Sequence, residues 1–197
     1  ALHWAAYHDN WELGKRLLDL GANASAQNRY GITPLYLACV NGNAKLVRAL
    51  LESGADPNTT TSGGETVLMT AARTGDIGAV TSLINAGAEI DAKERNGQTA
   101  AMWAAAEGHS DVIQALLSAG ADFQSPLERS GYTPFFFAVR EGRTEVVRML
   151  LNAGASINAV MKPSKSGGKI PKKGTSPLLL AAEIGHYVLA VELLDAG

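Results

Sequence analysis

The chain has 197 residues, of which 46% are hydrophobic and 18% charged, with a formal net charge of −2. Such a composition excludes a disordered polymer, which cannot bury enough apolar surface to fold, and no apolar run reaches the length of a membrane-spanning helix. The single cysteine, Cys39, excludes an intrachain disulfide framework and a cysteine-based zinc site. The charge is unevenly placed. Residues 160–174 hold Lys162, Lys165, Lys169, Lys172 and Lys173 and no acid, and with these set aside 12 basic residues face 19 acidic ones, a balance of −7. A mildly acidic body with one basic loop disfavours a nucleic-acid-binding face.

An apolar pair followed three residues later by glycine recurs along the chain. It reads Leu17-Leu18…Gly21, Leu50-Leu51…Gly54, Leu83-Ile84…Gly87, Leu116-Leu117…Gly120, Leu150-Leu151…Gly154 and Leu193-Leu194…Gly197. The glycine-to-glycine steps are 33, 33, 33, 34 and 43 residues. A fixed period of this size signals a repeat array in which each unit packs on its neighbours. Function is then expected on a surface built from many copies of one unit.

Taken in chain order, the first unit opens in mid-pattern with Ala1-Leu-His-Trp-Ala-Ala6, and Asp9 stands where later units have glycine between their helices. Aspartate enters left-handed geometry more readily than most residues. In the second unit Thr33-Pro34 predicts a helix start, because the hydroxyl can accept a free backbone N–H and proline suits the first helical position. Leu35, Leu37, Ala38 and Cys39 carry a short helix that stops at Gly42. Leu46, Val47, Leu50 and Leu51 then mark a second helix at helical spacing. Two helices this short need stacking to be stable. The third and fourth units lack the proline, having Val67 and Ala100 after Thr66 and Thr99, so their caps rest on threonine alone. In the fifth, the run Phe135-Phe136-Phe137 cannot face one way on a helix, and Phe136 is a candidate contact in the groove. One extra residue falls near Pro126-Leu127. A ten-residue excess falls in 160–174, a hairpin rich in Lys, Gly, Pro and Ser. The sixth unit opens at Ser176-Pro177. The abrupt start and stop are read as an ordered or excised part of a longer array, with end-to-end self-association as the alternative.

The stretches Gly31-Ile-Thr-Pro-Leu-Tyr-Leu-Ala-Cys-Val-Asn-Gly42 and Leu50-Leu-Glu-Ser-Gly-Ala-Asp-Pro-Asn58 resemble the ankyrin repeat, G-x-T-P-L-H-x-A-A-x-x-G-H followed by L-L-x-x-G-A-D-x-N. Gly64-Glu-Thr66 with Ala71-Ala72, Gly97-Gln-Thr99 with Gly108-His109, Gly131-Tyr-Thr-Pro134 and Ala181-Ala182 with Gly185-His186 extend the likeness over essentially the whole chain. The resemblance implies an all-α solenoid of about six helix-turn-helix repeats with projecting β-hairpin-like loops, four complete and the first and last partial. Its repeats would run over 1–27, 28–60, 61–93, 94–127, 128–174 and 175–197 of one domain, 1–197. The motif histidine survives only as His3; Tyr36, Met69, Met102, Phe136 and Leu179 replace it elsewhere.

The chemistry of a catalytic site is not in view. His3, His8, His109 and His186 are the only histidines, and His109 and His186 sit 77 residues apart at the same unit position, which predicts a structural role. Ser166-Gly167-Gly168-Lys169 lacks the order and the following helix of a phosphate loop. Asn23-Ala-Ser25 and Asn58-Thr-Thr60 match the glycosylation triplet, a pattern short enough to arise by chance. Cys39 and the equivalent positions Trp4 and Trp103 read as buried core. No metal, cofactor or small-molecule substrate is implied, and nucleic acid and membrane are disfavoured as partners.

The resemblance implies a non-catalytic scaffold that binds a protein through its concave face and hairpins, in a cytoplasmic setting. An architectural or targeting segment of a larger, even enzymatic, polypeptide is the alternative. By position the hairpin contacts are Arg29, Tyr30, Ile32, Glu65, Arg95, Gln98, Arg129 and Tyr132. The first-helix contacts are Tyr7, Asn41, Arg73, Glu107, Phe136, Arg140 and Glu141. These positions vary between units while the scaffold around them repeats, and Arg and Tyr dominate interface energetics. The lysines of 160–174 are a second expected contact, for an acidic partner.

Overall fold

The computed structural model describes residues 1–164 and 172–197. Among them, twelve short helices follow one another: α1 Leu2–Tyr7, α2 Trp11–Asp19, α3 Pro34–Val40, α4 Ala44–Glu52, α5 Val67–Thr74, α6 Ile77–Asn85, α7 Ala100–Glu107, α8 Ser110–Ser118, α9 Pro134–Arg140, α10 Thr144–Asn152, α11 Pro177–Ile184 and α12 Tyr187–Asp195. Each unit contributes two, and the first to sixth units below are these successive pairs with the hairpin that precedes them.

Where the sequence places Thr or Ser at a helix start, that side chain caps the helix, with one exception. Thr33, Thr66, Thr133 and Ser176 accept from the backbone N–H three residues on, at 3.2, 3.1, 3.4 and 3.2 Å. Asn10, Asn43 and Asp76 do the same for α2, α4 and α6. The exception is Thr99, which stands at the start of α7 without a capping bond and buries its hydroxyl unpartnered. Asp9 takes the left-handed conformation expected of it, with φ of 54°.

The odd-numbered helices lie side by side from α1 to α11, and α2 to α10 form a second row behind them. Arg148 on α10 reaches α12 through a two-bond ion pair with Glu192, at 3.2 and 2.8 Å. The core runs unbroken through both rows. Leu46, Leu50, Val80, Leu83, Ile113, Leu116, Val147 and Leu150, all on helices of the second row, are each buried in it. A fully buried side chain of this size contributes about 1.5–3 kcal/mol relative to exposure, which is the stacking energy the short helices lack individually. Cys39 is buried among them, and burial pushes its thiol pKa up, away from reactivity.

The hairpins keep one backbone register. Residues Asn28, Thr61 and Glu94 each donate to the carbonyl four residues on, Ile32, Glu65 and Gln98. Leu127 donates instead to Tyr132, which places the one-residue excess inside that turn, beyond Leu127 itself. Met161 donates to Thr175 at 3.0 Å, and Gly174 back to Met161 at 2.9 Å, so the ten-residue excess hangs from a closed base. The Met161 side chain is itself buried. Lys165, Lys169 and the Ser166-Gly167-Gly168-Lys169 stretch lie outside the described residues.

Trp4 departs from the core reading, being 56% exposed and leaning on His8 with ring centroids 4.3 Å apart. Helix α1 packs chiefly on α2 and α3, which leave the indole uncovered, whereas Trp103 is half-buried.

Candidate binding face

A ladder of inter-unit bonds fixes the C-terminal ends of α1, α5, α7 and α9. His109 Nε2 donates to the Arg73 carbonyl at 3.0 Å, Arg143 Nε to the Ala106 carbonyl at 2.9 Å and His186 Nε2 to the Arg140 carbonyl at 2.9 Å. Asn41 plays the same part for Ala6 and Tyr7, at 2.8 and 3.2 Å. His3 donates to the Ile32 carbonyl of the next hairpin at 2.8 Å. The structural role expected of His109 and His186 is therefore to hold the backbone from which Arg73 and Arg140 project.

Those two arginines organise the face. The Arg73 guanidinium lies 5.2 Å from the ring centre of Trp103 in the next unit and 3.3 Å from Glu65 in its own. Glu65 also accepts from Thr70 Oγ1 at 3.0 Å. Tyr36, one unit earlier, has its phenol pKa raised by burial and further by the Glu65 carboxylate, with Arg73 opposing. One charged side chain thus joins two successive units. The Arg140 guanidinium stacks 4.8 Å from Phe137 and 5.2 Å from Tyr132 and pairs with Glu141 at 2.7 Å. Stacking on a ring holds a guanidinium in place and leaves its edges free for hydrogen bonding.

The remaining contacts sort by exposure. Tyr7 and Tyr30 are each 67% exposed, and Arg29 stacks 4.7 Å from the Tyr30 ring. Arg95, Glu107, Arg129, Asn41 and Lys162, Lys172 and Lys173 are exposed, while Ile32 and Gln98 are half-buried. Two expectations are corrected. Phe136 is 2% exposed and does not reach the groove, because α7, α10 and α11 enclose α9 and its ring packs edge-on against Phe135 and Tyr132. Tyr132 is 7% exposed, folded over Phe137 with ring centroids 5.0 Å apart, and acts as a wall under Arg140. Burial raises its phenol pKa. Trp103 and Tyr36 belong to the face although sequence reasoning missed them. The signal was the spacing that places a first-helix residue of one unit beside an arginine of the unit before.

Among the described residues no three His, Cys, Asp or Glu side chains gather as a metal site, and no helix is long and apolar enough to cross a membrane.

A family model for ankyrin repeats, in three copies, matches residues 2–94 and again 68–161. The crystal structure of the human ASB11 ankyrin repeat domain superposes with a TM-score of 0.84 at 26% identity, covering 100% of this chain and 83% of that one. No curated protein matches the sequence. Ankyrin repeats generally serve as protein-interaction modules, and the chain belongs to the ankyrin repeat family.

Proposed function

We propose that the array is a non-catalytic scaffold that binds a protein partner along the face formed by its first-helix ends and hairpins. The observation that carries this reading is the pair of stacked arginines. Arg73 on Trp103 and Arg140 on Tyr132 and Phe137 are pre-ordered groups at a partly exposed surface. Ordering a long side chain costs about 0.5–1.5 kcal/mol at an interface, and here stacking has met much of that cost before a partner arrives. Arginine and aromatic residues are also the types that concentrate interface energy. Glu107 stands between the two arginines in chain order, at the exposed end of α7. The scaffold beneath is stiffened by the carbonyl ladder, so the face is presented as a preformed surface.

The test is affinity capture of partners from the native source with the wild-type chain and with Arg73→Ala/Glu107→Ala/Arg140→Ala. These side chains are not in the core, so the variant should keep its thermal transition. Proteins held by the wild type and lost by the variant support the reading. A partner retained equally by both sinks it.

A further inference from the structure

We infer that the hairpin edge of the fourth to sixth units receives an extended acidic segment of the protein partner, seated in a polar cleft between the fourth and fifth hairpins. This rests on the reading that the array binds a protein and specifies what kind of segment it takes. The cleft has a volume of about 600 Å³, and its lining includes Lys93, Arg95, Arg129, Glu94 and Glu128. Ser164, at the foot of the lysine hairpin, lies in the same lining and donates its N–H to the Glu128 carbonyl at 3.2 Å.

Three observations make the cleft a site for carboxylates. First, a cation stands one or two residues past the hairpin base in four of the five hairpins: Arg29, Arg95, Arg129 (after Glu128) and Lys162, with the third unit, Ser62-Gly63, the exception. Second, none of these cations joins an ion pair among the described residues; the pairs are Lys15–Asp19, Arg73–Glu65, Arg140–Glu141 and Arg148–Glu192. The acid nearest in sequence to Arg95 is committed to the turn. Glu94 accepts from the Asn96 N–H, the Asn96 side-chain amide and the Gln98 N–H at 2.8, 3.0 and 3.1 Å. Third, Arg95 is held in place, its backbone donating to the Gly63 carbonyl and its guanidinium to the Ser62 carbonyl, both at 3.1 Å. A guanidinium so anchored keeps its other donors for a carboxylate.

Geometry sets the spacing of the acids. Stacked helices sit about 8–10 Å apart, so successive tips repeat at that step, and an extended peptide advances about 3.3 Å per residue. Acidic residues at i and i+3 would therefore meet Arg95 and Arg129, with a further one at i+6 for Lys162. A nucleic-acid backbone fits less well. Its charges repeat every few ångströms, whereas these cations sit on separate tips interleaved with Glu94 and Glu128 and project from an acidic body.

The experiment selects binders to the wild-type chain from a random 12-residue displayed peptide library. Selected peptides are then measured by fluorescence anisotropy against the wild type, Arg95→Glu/Arg129→Glu, Arg95→Gln/Arg129→Gln and the Arg73/Glu107/Arg140 alanine variant. A 12-residue oligothymidylate is the competing probe. The expected result is acids at three-residue spacing, with affinity falling at least tenfold in the charge-reversed variant, less in the neutral one, and falling with added salt. Peptides without acids, affinity within twofold after charge reversal, failure to enrich any peptide, or tighter binding of the oligothymidylate would each overturn the inference. If the alanine variant alone loses the peptides, the face described above survives and the acidic-segment inference fails. Loss in the charge-reversed variant alone leaves the acidic-segment inference standing and removes the stacked arginines from the contact.

Discussion

Ala38, Ala71, Ala104, Ala138 and Ala181 fill one position of the first helix in five successive units, and each is fully buried. The hairpin tips read Arg29, Ser62, Arg95, Glu128-Arg129 and Lys162, and all are exposed. The helix row repeats because at each copy a neighbouring helix stands within van der Waals contact, so a change of one methylene is felt. The tips vary because their side chains stay exposed and need not fit against a core neighbour. The contrast locates both stability and specificity: the row supplies the first, the edge and the helix ends the second.

The sharpest place to break the comparison is where edge and core meet. Met161 is a hairpin-base residue with a core side chain, 1% exposed. Met161→Ala should cost about 2–5 kcal/mol in chemical denaturation, as a buried truncation does. Removing residues 163–172 instead would leave Met161 four residues from Thr175, the separation found in the second to fourth hairpins. That deletion should shift stability by no more than about 1 kcal/mol, because loop entropy changes slowly with length and, among the described residues, the Ser164 bond to Glu128 is lost while Lys162 takes the place of Lys172 three residues before Thr175. Should the deletion cost as much as Met161→Ala, the lysine hairpin would be part of the core and the contrast would fail.

Within the row, Ala104→Leu should overpack the contact of α7 with its neighbours and cost about 1–3 kcal/mol, measured as the shift in denaturation midpoint at constant slope. An unchanged midpoint would mean the row tolerates size as freely as the edge does. The glycines between helices divide in the same way. Gly75 and Gly87 both take positive φ, 78° and 88°. A Cβ on Gly87 meets nothing within 4 Å, while one on Gly75 falls 2.5 Å from the His109 ring. Gly87→Ala should therefore cost only the backbone term, about 1–2 kcal/mol. Gly75→Ala should cost more, because His109 must also leave the Arg73 carbonyl. Equal losses would remove the ladder from the account of how Arg73 is held.

Much of this was legible in the sequence because it depends on spacing. The 33-residue step fixed the unit, the Thr-Pro and Ser-Pro pairs fixed helix starts, and the recurrence of His109 and His186 predicted a shared structural role. Side-chain direction was less legible, because it depends on which neighbours surround a helix. The same position is exposed in Trp4, half-buried in Trp103 and buried in Phe137. Tyr132 and Phe136 read as contacts, yet each is needed to close the fifth unit around three adjacent phenylalanines. The Arg73–Trp103 stack could not be read within one unit at all, since its halves lie 30 residues apart and meet only after stacking.

The smallest expected effect tests the finest difference, between two threonines that the sequence presents as equals. Thr66 accepts from the Met69 N–H, whereas Thr99 Oγ1 and, one turn on, Trp103 Nε1 are buried without a protein partner. Thr66→Val should cost about 1 kcal/mol, the value of a lost cap. Thr99→Val keeps the shape and removes a buried hydroxyl that no protein group satisfies, so stability should hold or rise by up to about 1 kcal/mol. Thermal denaturation of the two variants side by side decides between them. A matching loss at Thr99 would mean that its hydroxyl is bonded in solution, with the Trp103 indole N–H one turn away as the first partner to examine. The fourth unit would then be capped like the third, and Trp103 would be fixed from below as well as by the Arg73 guanidinium stacked on its ring.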